Sequence, residues 1–203
     1  AKSALLKVLC RTGRFSEVVE EAKRLYPDNA APPYYSAAVA YLSVQGPKTR
    51  IETEGDFVRL TLPFIRWQTD RPYLIGDFNK WQRGATPLER NGKGHWTAKI
   101  KVGPGYQRYA IGRDGASYGH EDLGAPDFYD GHSAFFVKAN GEVAKEPQNK
   151  FQYHLNKSHA LPWSDEFSVE PECNAKSEAM KAYRLRPRDY GALKRVLYCH
   201  NKK

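Results

Sequence analysis

The middle of the chain alternates between apolar and polar residues, which is the pattern of strands that bury one face. Turn signals separate the alternating stretches, among them Gly-Pro-Gly at 103–105 and Asp-Gly at 114–115. Gly76 and Asp77 end one stretch, and an aromatic turn from Phe78 to Trp81 follows it. The pattern predicts strands of antiparallel sheets at 57–62, 64–67, 73–75, 95–102, 106–111 and 133–137.

Both ends of the chain have helical periodicity instead. Gly13, Pro27 and Gly46 punctuate residues 1–47 and predict three helices there, with apolar stripes at Ala4, Leu5, Val8 and Leu9, at Phe15, Val18, Val19, Ala22 and Leu25, and at Ala37, Ala38, Tyr41 and Leu42. Residues 175–185 and 187–200 predict two further helices. In the last of these we expect four apolar residues to face protein: Tyr190, Leu193, Val196 and Leu197.

Two stretches show neither period. Residues 48–56 are predicted to be a polar linker. Residues 139–174 are predicted to be irregular and extended, with Phe151, Tyr153 and Trp163 acting as anchors on another surface. The alternative for this segment is a long loop that wraps its own domain.

One motif of the middle segment is fairly specific: Gly76-Asp-Phe-Asn-Lys-Trp81. It is preceded by Phe64-Ile-Arg-Trp67 and followed, in order, by Trp96 to Val102, Gly-Pro-Gly, Tyr109 and Asp114-Gly115. This succession resembles the glycogen-binding domain of the AMP-activated protein kinase beta subunit, which belongs to carbohydrate-binding module family 48. The resemblance implies an immunoglobulin-like antiparallel β-sandwich over residues 57–138.

The same resemblance indicates where a glucan site would lie. The four principal positions of the family fall at Trp81, Ala110, Ser117 and about His132, and only Trp81 keeps the family's residue type. Arg108 lies two residues from Ala110 on the same face of its strand, and Tyr118 adjoins Ser117. A retained site would therefore comprise Trp81, Trp96, Arg108 and Tyr118. Because three of the four positions are replaced, we expect glucan binding to be weak or absent.

Residues 1–46 also resemble a tetratricopeptide repeat. The residues concerned are Gly13-Arg-Phe15, Ala22, Leu25, Pro27 and Tyr41, and equivalent positions recur 33 residues apart, near the repeat's period of about 34 residues. An ordinary helical hairpin followed by a third helix explains the same pattern equally well.

Charge is unevenly distributed along the 203 residues, whose net charge is +9. Residues 175–203 carry nine Lys/Arg against two Asp/Glu, whereas residues 61–138 carry eleven against eight. A local basic excess predicts docking to an acidic partner, and the candidate contacts are Arg184, Arg186, Arg188, Lys194 and Arg195. Acidic protein, RNA and anionic lipid remain open as that partner, and a solvated basic face is the alternative.

The sequence gives little support to catalysis. The six histidines do not have metal-ligand spacing, His154 and His159 being five positions apart. We find no nucleophile elbow, phosphate loop or dinucleotide fingerprint, and we expect no catalytic residue, metal or cofactor. No apolar run approaches the ~20 residues that span a bilayer. Three distant cysteines predict a reducing compartment.

These patterns lead to one interpretation with two alternatives. We expect an α+β chain divided into a helical, tetratricopeptide-like segment (1–47), a glycogen-binding-like sandwich (57–138), an extended segment (139–174) and a basic helical tail (175–203). We expect it to be a non-enzymatic accessory subunit of a large assembly of other protein subunits, in an organelle such as the mitochondrion or otherwise in the cytoplasm. The alternatives are a glucan-binding or glucan-targeting module and an RNA-contacting protein of an organellar ribosome.

Overall fold

The computed structural model of the protein describes residues 2–29, 32, 34–65, 69, 71–116, 119–160 and 175–200. The predicted α+β class is confirmed, with helices towards both ends and two antiparallel sheets between them. The helices are α1 (Lys2–Arg11), α2 (Phe15–Leu25), α3 (Tyr35–Gln45), α4 (Lys150–Ala160), α5 (Ala175–Leu185) and α6 (Tyr190–His200). The strands are β1 (Arg50–Glu54), β2 (Phe57–Leu62), β3 (Pro72–Gly76), β4 (Thr86–Pro87), β5 (Glu89–Arg90), β6 (Trp96–Ile100), β7 (Gly105–Arg113), β8 (Asp127–Tyr129) and β9 (His132–Val137).

The two sheets share one apolar core. The first sheet has the strand order β1-β2-β6-β5, and the second has the order β4-β3-β7-β9-β8. Alternation sends every second side chain of β2, β6, β7 and β9 inward, so the core draws on both sheets. Its buried residues include Val58, Leu60, Leu62, Leu74, Trp96, Ile100, Tyr109, Ile111, Phe128, Phe135 and Val137.

A buried polar network stabilises this core where the second sheet meets the loop before β8. The hydroxyl of Tyr109, which is fully buried, donates to the Asp122 carboxylate at 2.6 Å. The other Asp122 oxygen accepts the backbone N–H of Gly124 at 2.9 Å. Burial and the neighbouring carboxylate raise the pKa of Tyr109 well above its usual range, so it acts as a donor at any physiological pH.

The linker prediction for residues 48–56 was wrong, because Arg50–Glu54 forms β1. This strand pairs with β2 along its whole length, from Arg50 opposite Thr61 to Glu54 opposite Phe57. Four of its five side chains are polar, so no alternation marks it in the sequence. Charged side chains are suited to an edge strand, where they discourage pairing with other chains.

The strand predicted at 64–67 also differs from the structure. The second strand ends at Leu62, and Phe64 and Ile65 are not in a strand. Ile65 is buried in the core between the sheets, whereas Phe64 packs against the N-terminal helices. Arg66 and Trp67 lie outside the described residues. Proline at position 63 cannot donate a ladder hydrogen bond, which accounts for the end of the strand.

The N-terminal helices form a second apolar cluster. Phe15, Val18, Val19 and Ala22 of α2 are buried at its centre, as their stripe predicts. On α1, however, the buried residues are Leu6, Leu9 and Cys10, while Leu5 and Val8 are exposed. The predicted stripe on α1 was therefore displaced by about one residue. The ring of Phe15 stacks on that of Tyr41 at 3.9 Å, which ties α2 to α3.

The prediction of an extended segment at 139–174 was wrong for Lys150–Ala160, which forms α4. The side chain of Asn149 accepts the backbone N–H of Gln152 at 3.1 Å and so caps the first turn. The helix lies against β8, where the Tyr153 ring meets Phe128 edge-on. It therefore covers the free edge of the second sheet. Residues 161–174 lie outside the described residues.

Candidate functional site

The turn that carries Trp81 is held by the side chain of Asn79. Its oxygen accepts the Gly76 N–H at 3.0 Å, and its nitrogen donates to the Leu74 carbonyl and to the Thr86 hydroxyl, both at 3.0 Å. These bonds hold Lys80 and Trp81 in left-handed conformations, with φ of 53° and 61°, which cost energy for non-glycine residues.

Gly76 is required for the same turn on packing grounds. A Cβ at this position would lie 2.3 Å from the Arg108 carbonyl oxygen and 2.7 Å from the Phe78 ring. Any side chain would push β3 away from β7, which pair through Gly76 and Tyr109. The glycine of the Gly-Asp-Phe-Asn-Lys-Trp motif therefore serves the close approach of two strands.

Trp81 packs against the outer face of the second sheet. Its ring packs on Tyr73, Ile75 and Ala110, and its indole N–H donates to Asp77 at 3.2 Å. The His132 ring lies 4.7 Å from the Trp81 ring, centroid to centroid. Because the sheet packs against Trp81 and Asp77 accepts its indole N–H, this residue stabilises the turn and also presents an aromatic surface.

Arg108 is locked beside Trp81 by two carboxylates. Its guanidinium donates twice to Asp77, at 3.1 and 3.0 Å, and once to Asp130, at 2.5 Å. Burial alone would raise the pKa of Asp77, but hydrogen bonds from Arg108 and Trp81 outweigh it and lower that pKa. The same bond to Asp77 raises the pKa of Arg108. The charge of Arg108 is thus balanced inside the cluster.

His132 completes this cluster through a third carboxylate. Its Nδ1 lies 3.0 Å from an oxygen of Glu121, whose other oxygen accepts the Ser133 hydroxyl at 2.8 Å. The hydrogen bond with Glu121 raises the pKa of His132. The structure therefore brings Trp81, Arg108 and His132 together, and it surrounds the two basic groups with acids.

The other two residues of the expected glucan site are not part of this cluster. Trp96 is on β6 of the first sheet, buried in the core, with the Arg90 guanidinium 4.4 Å from its ring centre. The expectation that it shares a surface with Trp81 was wrong, because alternation along β6 turns position 96 inward. Tyr118 lies outside the described residues.

Sequence reasoning missed an aromatic group on the same outer face as Trp81. Tyr106 and Tyr129 stack at 4.0 Å and nearly parallel, and Phe136 meets Tyr106 edge-on at 5.1 Å. Ala134 lies between the strands of the two tyrosines, where its small side chain leaves room for them. The signal was available in the alternation of β7 and β9, which sends positions 106 and 136 outward.

The C-terminal helices present the predicted basic residues unequally. Arg184, Arg186, Arg188 and Lys194 are exposed. Arg195 is only 8% exposed, and it donates to the backbone carbonyl and, at 3.3 Å, to the hydroxyl of Ser158 at the end of α4. A guanidinium suits the carbonyl end of a helix. The expectation that Arg195 contacts a partner was therefore wrong.

The predicted aromatic anchors are also largely used inside the molecule. Phe151 is 5% exposed and packs on Ala182 and Ala192. Tyr153 is half-buried, and the Lys157 ammonium donates to its hydroxyl at 2.9 Å. Phe151 joins α4 to the C-terminal helices and Tyr153 joins it to β8, so these two residues are used within the chain. Trp163 lies outside the described residues.

The last helix exposes three of the four apolar residues that were expected to face protein, and the fourth, Val196, is half-buried. Tyr190 is 77% exposed, Leu193 38% and Leu197 51%, and together we call them the α6 stripe. Ala192 and Arg195 occupy the inward face. Residues at i, i+3 and i+7 share one face of a helix, so the α6 stripe is continuous over two turns.

Neither a metal site nor a membrane-spanning helix is found in the part of the chain that the structure describes. Among the described residues, no group of three or more His, Cys, Asp or Glu side chains is placed to hold a metal. Within the same part of the chain, no helix has the length and apolar character needed to cross a bilayer. No protein-family model matches the sequence, and no curated protein matches it significantly.

Proposed function

We propose that this chain is a non-enzymatic accessory subunit of a large protein complex in an organelle, the mitochondrion being the compartment that its basic, cysteine-poor sequence favours. In this proposal the two sheets are an immunoglobulin-like sandwich of the glycogen-binding type, kept as a scaffold. The C-terminal helices supply the contacts to other subunits, while the three N-terminal helices, of tetratricopeptide type, pack beside Phe64.

The observation that carries the proposal is the exposure of the α6 stripe. A monomeric protein gains by burying such side chains, and contiguous apolar patches on its surface typically mark interaction sites. Here Tyr190, Leu193 and Leu197 are turned outward while a charged residue, Arg195, is turned inward. This arrangement is expected where the outward face meets another protein.

The hydrogen bonds within the cluster of Trp81, Arg108 and His132 support the role of the sandwich as a scaffold. A glucan site needs donors free to bind sugar hydroxyls beside an aromatic platform. The guanidinium of Arg108 instead makes three hydrogen bonds to Asp77 and Asp130. An incoming hydroxyl would have to compete with charge-assisted bonds, which are roughly twice as strong as neutral ones.

Native purification tests the proposal. The full chain, carrying a small tag, is recovered from cells that naturally make it and is separated by native electrophoresis, followed by mass spectrometry. We expect migration far above the size of a 203-residue chain, together with a constant set of other proteins. Migration as a free monomer under mild extraction would contradict the proposal.

Glucan binding is the second candidate function, and one specific observation favours it. Trp81, Arg108 and His132 adjoin one another on the outer face of the second sheet, which also bears the Tyr106–Tyr129 stack. Titration calorimetry with β-cyclodextrin tests this candidate. Micromolar binding that is lost in Trp81→Ala, with the circular dichroism spectrum unchanged, would favour glucan binding over the role of accessory subunit.

A further inference from the structure

The α6 stripe has a basic rim. Leu185, at the end of α5, is a further exposed apolar residue of the C-terminal helices, at 50%. The basic rim consists of Arg184, Arg186, Arg188 and Lys194, all exposed. An apolar strip bordered by cations on the loop side and along one flank therefore faces solvent.

Across the residues that the structure describes, little negative charge offsets the basic rim. Asp189, next to Arg188 in the sequence, accepts the backbone N–H of Ala192 at 2.9 Å as the N-terminal cap of α6. Among the described residues, no salt bridge joins Arg184, Arg188 or Lys194 to an acid. Arg186 lies over the Phe151 ring at 4.6 Å, which leaves its charge unbalanced. Acidic groups on a partner would complement this surface.

We propose, on the basis of the function proposed above, that the α6 stripe and its basic rim bind an amphipathic helix of a partner protein. The apolar residues of that helix recur at i, i+3 or i+4, and i+7, and Asp and Glu residues flank them. The stripe spans eight residues, from Tyr190 to Leu197, or about 10 Å of helix axis. A partner helix of roughly three turns would cover it.

A helix suits this surface better than a strand or a nucleic acid does. The backbone donors of α6 are used within the helix, so an extended peptide has no free edge with which to pair. The row of Tyr190, Leu193 and Leu197 forms a ridge that packs into the grooves of another helix. RNA would use the basic rim and stack a base on Tyr190, but it would leave the two leucines unused, since their side chains make no hydrogen bond to phosphate or base edges.

A second copy of this chain is a poor occupant. Exposed apolar residues also occur on α1, at Leu5 and Val8. That helix carries Lys2, Lys7 and Arg11 and has no acidic residue in its first turn. Two basic surfaces would repel one another, so charge favours a different and acidic protein.

Selection of displayed peptides by the full chain tests the inference. The probe is a phage library of helix-forming peptides of roughly 15 residues, about four turns, randomised on one face and its flanks. The selected sequences are synthesised, and their affinities are measured by fluorescence anisotropy. Oligouridine and phosphatidylserine vesicles are assayed in parallel as alternative probes.

The matched variants are a double substitution on the stripe, Leu193→Asp with Leu197→Asp, and Leu5→Asp on α1, which changes an equally exposed leucine elsewhere. We expect selected peptides with the stated apolar spacing and acidic flanks, and a Kd at least about tenfold weaker for the stripe variant but unchanged for Leu5→Asp. Arg188→Glu with Lys194→Glu should weaken binding and reverse the preference for acidic flanks.

Three outcomes would overturn the inference. The selection yields no amphipathic consensus, the selected peptides bind the stripe variant as well as the wild type, or oligouridine or vesicles bind in a stripe-dependent manner while peptides do not. This test is separable from that of the proposed function. A chain that enters a large complex equally well with and without the stripe retains the proposed function and loses this inference.

Discussion

Arg195 of α6 donates to the Ser158 backbone carbonyl and hydroxyl at the end of α4. This contact fixes the rotation of α6 about its own axis, because the guanidinium can reach Ser158 only from the inward face. The α6 stripe is thereby turned to solvent. The orientation of the proposed docking surface thus depends on a buried, hydrogen-bonded charge.

Replacement of Arg195 by leucine is expected to destabilise the C-terminal helices. The substitution leaves the Ser158 carbonyl without its donor, and a buried group that loses its partner costs about 1–3 kcal/mol. Urea unfolding followed by circular dichroism measures the change. The neighbouring exposed residue provides the control, since Lys194→Ala should change the free energy of unfolding by less than about 0.5 kcal/mol. Equal changes in unfolding free energy for the two substitutions would show that Arg195 does not stabilise the C-terminal helices through Ser158.

Acid is expected to loosen the contact between α4 and α5 through Glu178. This carboxylate is 2% exposed and lies 2.6 Å from the His154 ring and 3.0 Å from the Lys181 ammonium. Burial would raise the pKa of Glu178, but the bond to His154 and the attraction of Lys157 and Lys181 lower it from 4.5 to about 2. Its contribution to stability is therefore complete above pH 4.5 and is lost as the pH falls towards 2.

The pH dependence is measured by urea unfolding of wild type and Glu178→Gln at pH 6 and pH 3. We expect the free energy of unfolding of the wild type to exceed that of Glu178→Gln by up to about 3 kcal/mol at pH 6 and by much less at pH 3. Glu142 serves as the matched control, because it pairs with Lys138 on the exposed surface. Glu142→Gln should leave the free energy of unfolding almost unchanged at either pH, because exposed ion pairs contribute little to stability. A difference in unfolding free energy between wild type and Glu178→Gln that is as large at pH 3 as at pH 6 would contradict this account.

Trp81 is expected to be needed for stability more than for ligand binding. Trp81→Ala removes the packing on Tyr73, Ile75 and Ala110 and should cost about 2–3 kcal/mol, somewhat below the usual cost for a core tryptophan. Trp81→Phe keeps most of that packing and loses the bond to Asp77, at a cost of about 1 kcal/mol. Thermal unfolding compares the two variants. A neutral Trp81→Ala would indicate an aromatic platform held free for a ligand and would favour the glucan candidate.

The strands were easier to predict than the helix faces for a physical reason. The alternation in β2, β6 and β9 records burial of one face directly in the sequence. The first strand shows no such alternation, because four of its five side chains are polar and its pairing with β2 is made by the backbone. The fourth helix was missed because its apolar side chains are divided between β8 and α5 and therefore form no single stripe.

The candidate sites were predictable only in part. Trp81 and Arg108 were expected on one surface from a resemblance and from strand alternation, and the Arg108 guanidinium lies 5.9 Å from the Trp81 ring centre. The carboxylates that neutralise Arg108 were not foreseen, since Asp77 and Asp130 lie 31 and 22 residues away and nothing local connects them to it. The orientation of α6 was predicted wrongly because helical periodicity alone places charged residues on the exposed face. Arg195 is instead buried, since it donates hydrogen bonds to Ser158 at the carbonyl end of α4.

Incorporation of stripe variants into the native assembly tests the central claim most directly. The full chain, the Leu193→Asp, Leu197→Asp double variant and the Leu5→Asp control are expressed at equal levels in cells that naturally make the protein, and each is followed by native electrophoresis. All three should fold alike by circular dichroism, since the substituted side chains are exposed. The account predicts that wild type and Leu5→Asp migrate with the large complex and that the double variant migrates alone. Undiminished incorporation of the double variant would contradict the claim that the α6 stripe docks the chain in its complex.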